Sequence, residues 1–272
     1  VDREQAAIVI DGACRAYELP DLSRLVALHE VDLTIPTGSF VSIIGPSGCG
    51  KSTLLRLIGG LEQPDRGTVT VDGMTPKQAA ADKRLGLVPQ GAALLPWLSV
   101  LKNVSLPAKV NRRHNRTPLP DMEALLRRAG LGDAMYKLPS ELSGGMQQRA
   151  AIVRAFGLRP DVMLMDEPFS ALDEFTRESL QEQLLDLWEE TRSTVVFVTH
   201  SISEAVRLSD QVIVMAPRPG RIVETIDIDL PRPRTPELVA SQEFHAYELQ
   251  IRDHLRFAFD HSEVAASEVG EA

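Results

Sequence analysis

The stretch Gly45-Pro46-Ser47-Gly48-Cys49-Gly50-Lys51-Ser52 carries the clearest chemistry in the sequence. Its spacing, G-x-x-x-x-G-K-S, suits a phosphate group. Glycines let successive backbone N–H groups turn toward anionic oxygens, Lys51 neutralises β- and γ-phosphate charge, and Ser52 offers a hydroxyl to Mg2+. Thr53, in the first turn of the helix that follows, completes the expected nucleotide-binding set. The helix matters as much as the loop, because its N-terminus adds unpaired N–H groups and a positive dipole end. Phe40 to Ile44 reads as the buried strand that feeds the loop, and Gly59-Gly60 as the helix stop.

Two carboxylates end a second apolar run. Asp166-Glu167 follow Val162-Met163-Leu164-Met165, at the C-terminal end of a buried strand, where ligands gather in open α/β sheets. Asp166 is expected in the Mg2+ shell. Glu167 is expected to orient or deprotonate the water that attacks the γ-phosphate, a reaction governed by positioning and charge stabilisation. His200 ends the run Thr194 to Thr199 in the same relation to its strand and reads as a γ-phosphate contact. Gln90, after Leu85 to Pro89, reads either as a sensor of metal and water or as a surface glutamine. Cys49 sits beside the helix N-terminus, which favours a lowered thiol pKa; the alternative is a small loop filler.

These groups need a scaffold, and the remaining sequence supplies one. Short β-branched runs at Ile8 to Ile10, Val31 to Ile35 and Thr68 to Val71, separated by Gly12, Pro36-Thr37-Gly38 and Asp72-Gly73, predict antiparallel strands. From Gln90 to about Pro160 the apolar spacing becomes helical, as in Leu125, Leu126 and Ala129 or Met146, Ala150 and Val153. Strand patterns return at 162–165, 194–199 and 211–215, with a helix over Glu174 to Thr191 that carries Leu180, Leu184, Leu187 and Trp188 on one face. Buried strands alternating with helices indicate a covered parallel sheet. After Asp229 the segment LPRPRTPE is too rich in proline for a core element, and the acidic end reads as a frayed tail.

Composition excludes several classes. With 43% apolar and 25% charged residues the chain is of ordinary globular make-up. No run approaches the ~18 to 20 apolar residues of a membrane span, and the first residues lack a signal-peptide pattern, so a cytoplasmic location is expected. Cys14 and Cys49 are too few for a disulfide framework or a zinc site. A formal net charge of -9 disfavours a nucleic-acid partner.

Taken in order, the phosphate loop, Gln90, Leu142-Ser143-Gly144-Gly145-Met146, VMLMDE at 162–167, SALD at 170–173 and His200 resemble the nucleotide-binding subunit of an ABC transporter over residues 5 to 230. The resemblance implies an α/β fold: a P-loop NTPase (ABC ATPase) core over 1–90 and 161–230, with an N-terminal antiparallel β subdomain and an inserted α-helical subdomain over 91–160. Residues 231–272 would add a short helix and tail. It also implies an ATPase that uses ATP and Mg2+ in a head-to-tail dimer. In that dimer Ser143, Gly144 and Gly145 grip the γ-phosphate of ATP held by the second subunit, and Asp173 lies near the interface. Tyr17 matches the family's adenine-stacking aromatic, with an ordinary strand aromatic as the other reading.

Within the family the strings LLPWLSVLKNV (94–104), LSGGMQQRAAIVRAF (142–156), DEPFSALDEFTR (166–177) and APRPGRI (216–222) are similar to ATPases of nitrate, sulfonate and taurine importers. The implied partners are a second ATPase subunit, a transmembrane permease and, indirectly, a solute-binding protein, with the chain peripheral on the inner face of the cell membrane. Met146 and Ser201 depart from the common family pattern, and Ser201 puts the usual aspartate contact at that position in doubt. Trp97 reads equally as a permease contact or as core of the helical insert. The basic run Arg112 to Arg116 reads as a solvated loop, with anionic lipid as the alternative. A soluble ABC ATPase of cofactor assembly is the rival function. Coiled-coil chromosome types are disfavoured by the short span from Lys51 to Leu142, two-cassette translation types by the single phosphate loop.

Overall fold

The computed structural model describes residues 6–20, 23–170, 172–217 and 219–260. Ala171 of SALD, Arg218 of APRPGRI and the acidic end therefore lie outside the described residues. The chain divides into two compact units, one formed by Val1–Pro76 with Thr194–Ala272, the other by Lys77–Ser193.

The first unit opens with β1 (Ala6–Glu18) and β2 (Arg24–Pro36), then β3 (Phe40–Ile44), α1 (Lys51–Ile58) and β4 (Arg66–Val71). β1 lies between β2 and β4, antiparallel to both, with Ile10 opposite Leu33 and Val69. Val31, Ile35, Ile8 and Val71 are buried, so the alternating apolar positions define one packed face. All five residues of β3 are buried. α1 buries Leu54, Leu55, Leu57 and Ile58, and Gly59 caps it as expected.

The second unit contains α2 (Pro76–Ala81), β5 (Leu85–Val88), α3 (Val100–Lys109), α4 (Met122–Arg128), α5 (Gly144–Phe156), β6 (Val162–Asp166) and α6 (Glu174–Thr191). β5 and β6 pair in parallel, Val88 beside Met165. Val100, Val104, Leu126, Leu131, Ala150 and Val153 make the helical core. On α6 Leu180, Leu184 and Trp188 are buried, and the indole Nε1 donates to the Ser193 carbonyl at 2.9 Å.

The chain returns to the first unit with β7 (Thr194–Thr199), α7 (Ile202–Leu208), β8 (Gln211–Ala216), β9 (Arg221–Asp227), α8 (Pro236–Val239) and α9 (Gln242–Asp260). β7 and β8 flank β3 in parallel, and β9 closes the edge antiparallel to β8. Sequence reading missed β9 because a half-exposed edge strand lacks a continuous apolar run. The C-terminal helix is also longer than expected, 19 residues, and buries Phe244 and Ile251 against Val206 and Val214.

The Pro-rich segment forms no strand, yet it is not a loose linker. Arg234 is 5% exposed. It donates to the carbonyls of Val206, Arg207, Ser209, Ile228 and Leu230, and burial lowers its pKa to about 10. Arg232 bonds Asp210 at 2.7 Å, and Asp210 in turn accepts from the Phe40 N–H at 2.8 Å. The segment thus pins the start of the strand that leads to the phosphate loop.

Candidate functional site

In the first unit β3 delivers the chain into the phosphate loop. Gly50 has φ 97°, and a Cβ there would stand 2.7 Å from both the Ala27 carbonyl oxygen and Leu28 Cδ2, so only glycine fits. Gly50 is the N-cap of α1 and brings no side-chain hydrogen bond, whereas Ser99, Ser143, Asp173 and Ser201 cap α3, α5, α6 and α7. The start of α1 thus keeps backbone N–H groups that no side chain of its N-cap residue takes. Lys51 is 6% exposed, and its Nζ donates to the carbonyls of Gly45 at 2.8 Å and Pro46 at 3.1 Å. Its ammonium is therefore held within the loop whose sequence predicts a phosphate site, the stretch that also carries Ser47, Gly48, Ser52 and Thr53.

Of the two readings of Cys49, the small loop filler is the one the geometry favours. The residue is fully buried, and desolvation pushes its thiol up, outweighing the favourable charge of Lys51. Helix ends activate thiols that water can reach; this one is packing within the loop.

Tyr17 extends from β1 toward α1. Its hydroxyl lies 3.4 Å from Thr53 Oγ1 and donates to Glu62 at 2.6 Å. His200, at the end of β7, is exposed, and the residues around it are tied down. The Thr199 hydroxyl donates to Glu204 at 2.5 Å and accepts from the Ser201 N–H at 3.0 Å, while Ser201 caps α7 by accepting from the Glu204 N–H at 3.3 Å. Ser201 in this chain is a helix cap.

One residue escaped sequence reading. Gly220, in the β8–β9 connection, donates to the Ala27 carbonyl at 3.1 Å and accepts from the His29 N–H at 3.0 Å. A Cβ on Gly220 would stand 2.3 Å from the Cys49 carbonyl oxygen. The string APRPGRI signals a relationship, but only the structure reveals that its glycine seats the back of the phosphate loop.

In the second unit β6 ends in Asp166, and Glu167 follows with φ 44°, a left-handed conformation that costs a non-glycine residue about 1–3 kcal/mol and gathers at functional sites. Its carbonyl accepts from the Ser170 N–H at 3.2 Å and hydroxyl at 3.0 Å, which holds the turn. The Gln90 side-chain amide donates to Glu167 Oε2 at 3.3 Å. That contact joins two residues far apart in sequence, and Gln90 is itself exposed.

The same unit carries the second Gly-rich turn. Ser143 caps the 13-residue α5 by accepting from the Met146 N–H at 3.3 Å, and Gly144 beside it is exposed, with open space at its Cβ position. Gly145 is buried, and a Cβ there would stand 2.7 Å from Thr176 Cγ2, so close packing of α5 on α6 demands that glycine. Asp173 caps α6 by accepting from the Thr176 N–H, which also lowers its pKa.

Trp97 is 70% exposed, so it is not core of the helical insert. Its turn is held from beneath by the fully buried Asn103, which accepts from the Leu95 N–H at 2.7 Å and donates to the carbonyls of Leu95, Leu98 and Ser99. The basic run is exposed at Arg112, Arg113, His114 and Arg116, in keeping with a solvated loop, and two of these residues are paired within the unit: His114 with Asp82 at 2.9 Å, and Arg116 with Asp161.

Comparison with known proteins agrees with this geometry. Residues 28–170 match the family described as ABC transporter. The nitrate import ATP-binding protein of Synechococcus elongatus is 43% identical over 241 residues, 86% of this chain and 87% of its own. The taurine import ATP-binding protein of Rhizobium johnstonii is 48% identical over 209 residues, 76% and 78% of the two chains. An ATP-binding cassette solved as a dimer in a post-hydrolysis state bound to ADP and Pi shares 34% identity at a TM-score of 0.72, over 82% of this chain and 100% of that one.

Proposed function

The chain belongs to the ABC transporter family as an ATP-hydrolysing subunit of the import type, and from that premise we propose how it works. Paired head to tail with a second ATPase subunit, an identical copy in the simplest case, it drives uptake of a small solute of the nitrate, sulfonate or taurine class. The solute passes through a separate permease, delivered by a binding protein. The chain then works in the cytoplasm on the inner face of the membrane; among the described residues no helix is long and apolar enough to cross a membrane.

Each residue has a part. Lys51, Thr53 and the loop from Gly45 to Ser52 take the phosphates, and Tyr17 stacks on adenine. Ser52, Asp166 and Gln90 are the residues that would hold Mg2+, and the ion would supply positive charge against the phosphate oxygens. The donor set fits that ion, since all three side chains offer oxygen and a single carboxylate, Asp166, is among them, as Mg2+ beside phosphate favours. Glu167 activates the attacking water, and His200 contacts the γ-phosphate. Ser143, Gly144 and Gly145 present the start of α5 to ATP on the second subunit.

The observation that carries the transport reading is the path from Glu167 to Trp97. The Gln90 amide touches the Glu167 carboxylate, and a few residues along the same segment Asn103 fixes a turn that offers Trp97 outward. An exposed tryptophan on a rigid support is the side chain that anchors interfaces, with losses of about 2 kcal/mol or more on truncation. Trp97→Ala should therefore cut permease-stimulated ATP turnover by roughly tenfold or more, as expected for loss of such an anchor. Basal turnover should stay unchanged. Assays with and without the permease in detergent or nanodiscs decide it, and equal loss of both rates would return Trp97 to a purely structural role.

A further inference from the structure

Three donors converge on Glu62, which lies just past α1. Tyr17 Oη and Arg15 Nε bond its Oε2 at 2.6 and 3.2 Å, and Arg56 approaches Oε1 at 3.5 Å. Burial pushes this carboxyl up, but the Tyr17 and Arg15 hydrogen bonds outweigh it and hold the pKa below the usual carboxylate range. Arg15 is fixed in turn by Asp65, at 2.8 Å, whose other oxygen accepts from the Ala16 N–H at 2.7 Å. The Arg15 guanidinium carbon lies 5.0 Å from the centroid of the Tyr17 ring, over its face. The phenol is thus held at its hydroxyl by one charged group and along one face by another.

We propose that Glu62 and Arg15 form the back of a purine platform, with Glu62 as the positioning residue that keeps the Tyr17 ring fixed so that its opposite face receives the base of the nucleotide. This rests on the reading of Tyr17 as the adenine-stacking residue. An unrestrained aromatic side chain loses rotamer freedom each time it takes a ligand, whereas a pre-fixed ring has lost it on folding. A cation over one face leaves the other for stacking and strengthens the grip on the ring. Glu62 touches neither phosphate nor metal in this scheme, so its contribution falls on base affinity alone.

The test is to measure binding of ATP and of inorganic tripolyphosphate, with Mg2+, to the wild type and to Glu62→Gln, Tyr17→Phe, the double variant and Tyr17→Ala, together with KM and kcat for ATP. Glu62→Gln and Tyr17→Phe should each weaken ATP binding by about tenfold, the range of a hydrogen bond to a charged group. The change should appear in KM while kcat stays within about twofold, as expected for an interaction that acts on binding. The double variant should be no weaker than the weaker single one, since both act on the same Tyr17–Glu62 contact, one by removing the acceptor's charge and the other by removing the donor. Tripolyphosphate affinity should be the same in all. Equal loss of ATP and tripolyphosphate binding would reduce Glu62 to general packing and overturn the proposal. Unchanged ATP affinity in Glu62→Gln and Tyr17→Phe alongside a loss in Tyr17→Ala would overturn it while leaving the stacking role intact. No loss in Tyr17→Ala would remove the stacking reading and the platform with it.

Discussion

Replacing Glu167 by Gln should lower ATP turnover by about a thousandfold, within the span expected for loss of a positioned general base, while ATP still binds. The two halves of this expectation have separate causes. In this reading affinity rests on the phosphate loop, the start of α1 and Lys51 held among the loop carbonyls, residues that the substitution leaves in place. Turnover needs a carboxylate that accepts a proton or polarises water, and an amide of the same shape does neither. The residue is also held in place. Gln90 reaches it at 3.3 Å, and its backbone is kept at φ 44° by the Ser170 hydrogen bonds. ATP should then persist in the paired state, visible as a dimer in size-exclusion chromatography with MgATP. Turnover within twofold of wild type would remove Glu167 from the catalytic step.

The second large effect lies away from any ligand. Gly220→Ala puts a methyl carbon 2.3 Å from the Cys49 carbonyl oxygen and 2.5 Å from that of Ala27. Both neighbours are backbone, so no side chain can swing aside. Either the phosphate loop shifts or the Gly220 segment lifts from β2, breaking its hydrogen bonds to Ala27 and His29. A displacement near 1 Å in a positioning element can cost about a hundredfold in rate, and turnover should fall by that order with ATP affinity falling alongside it. The fold itself should survive with a lowered melting temperature, because overpacking costs about 1–3 kcal/mol. Calorimetric titration with ATP beside a thermal melt separates the two effects. Unchanged affinity would show that the loop tolerates movement at Cys49.

Much of this was legible because buried strands write themselves plainly. Phe40 to Ile44, Thr194 to Thr199 and the run before Asp166 are continuous apolar stretches, and each ends where a functional group begins. Helix α6 was equally plain, since Asp173 caps it and Leu180, Leu184 and Trp188 share its buried face. What stayed hidden depends on contacts distant in sequence. Nothing near Cys49 announces that the loop buries its thiol, and nothing near Gly220 announces the Cys49 carbonyl. The Pro-rich segment misled for the same reason: proline forbids a strand, but it does not forbid the burial of Arg234 among carbonyls. Trp97 could not be assigned from pattern alone, because an apolar turn reads the same whether it packs inward or is offered outward. Asn103, buried beneath that turn, settles its orientation.

The measurement that bears most directly on the transport role is affinity purification of the protein from detergent-solubilised membranes of its host, with identification of what accompanies it by mass spectrometry. The importer reading predicts stoichiometric recovery of a multi-span permease and a faster ATP turnover in that complex than in the isolated subunit. Recovery of soluble proteins alone, under conditions that keep a known ABC complex together, would contradict it.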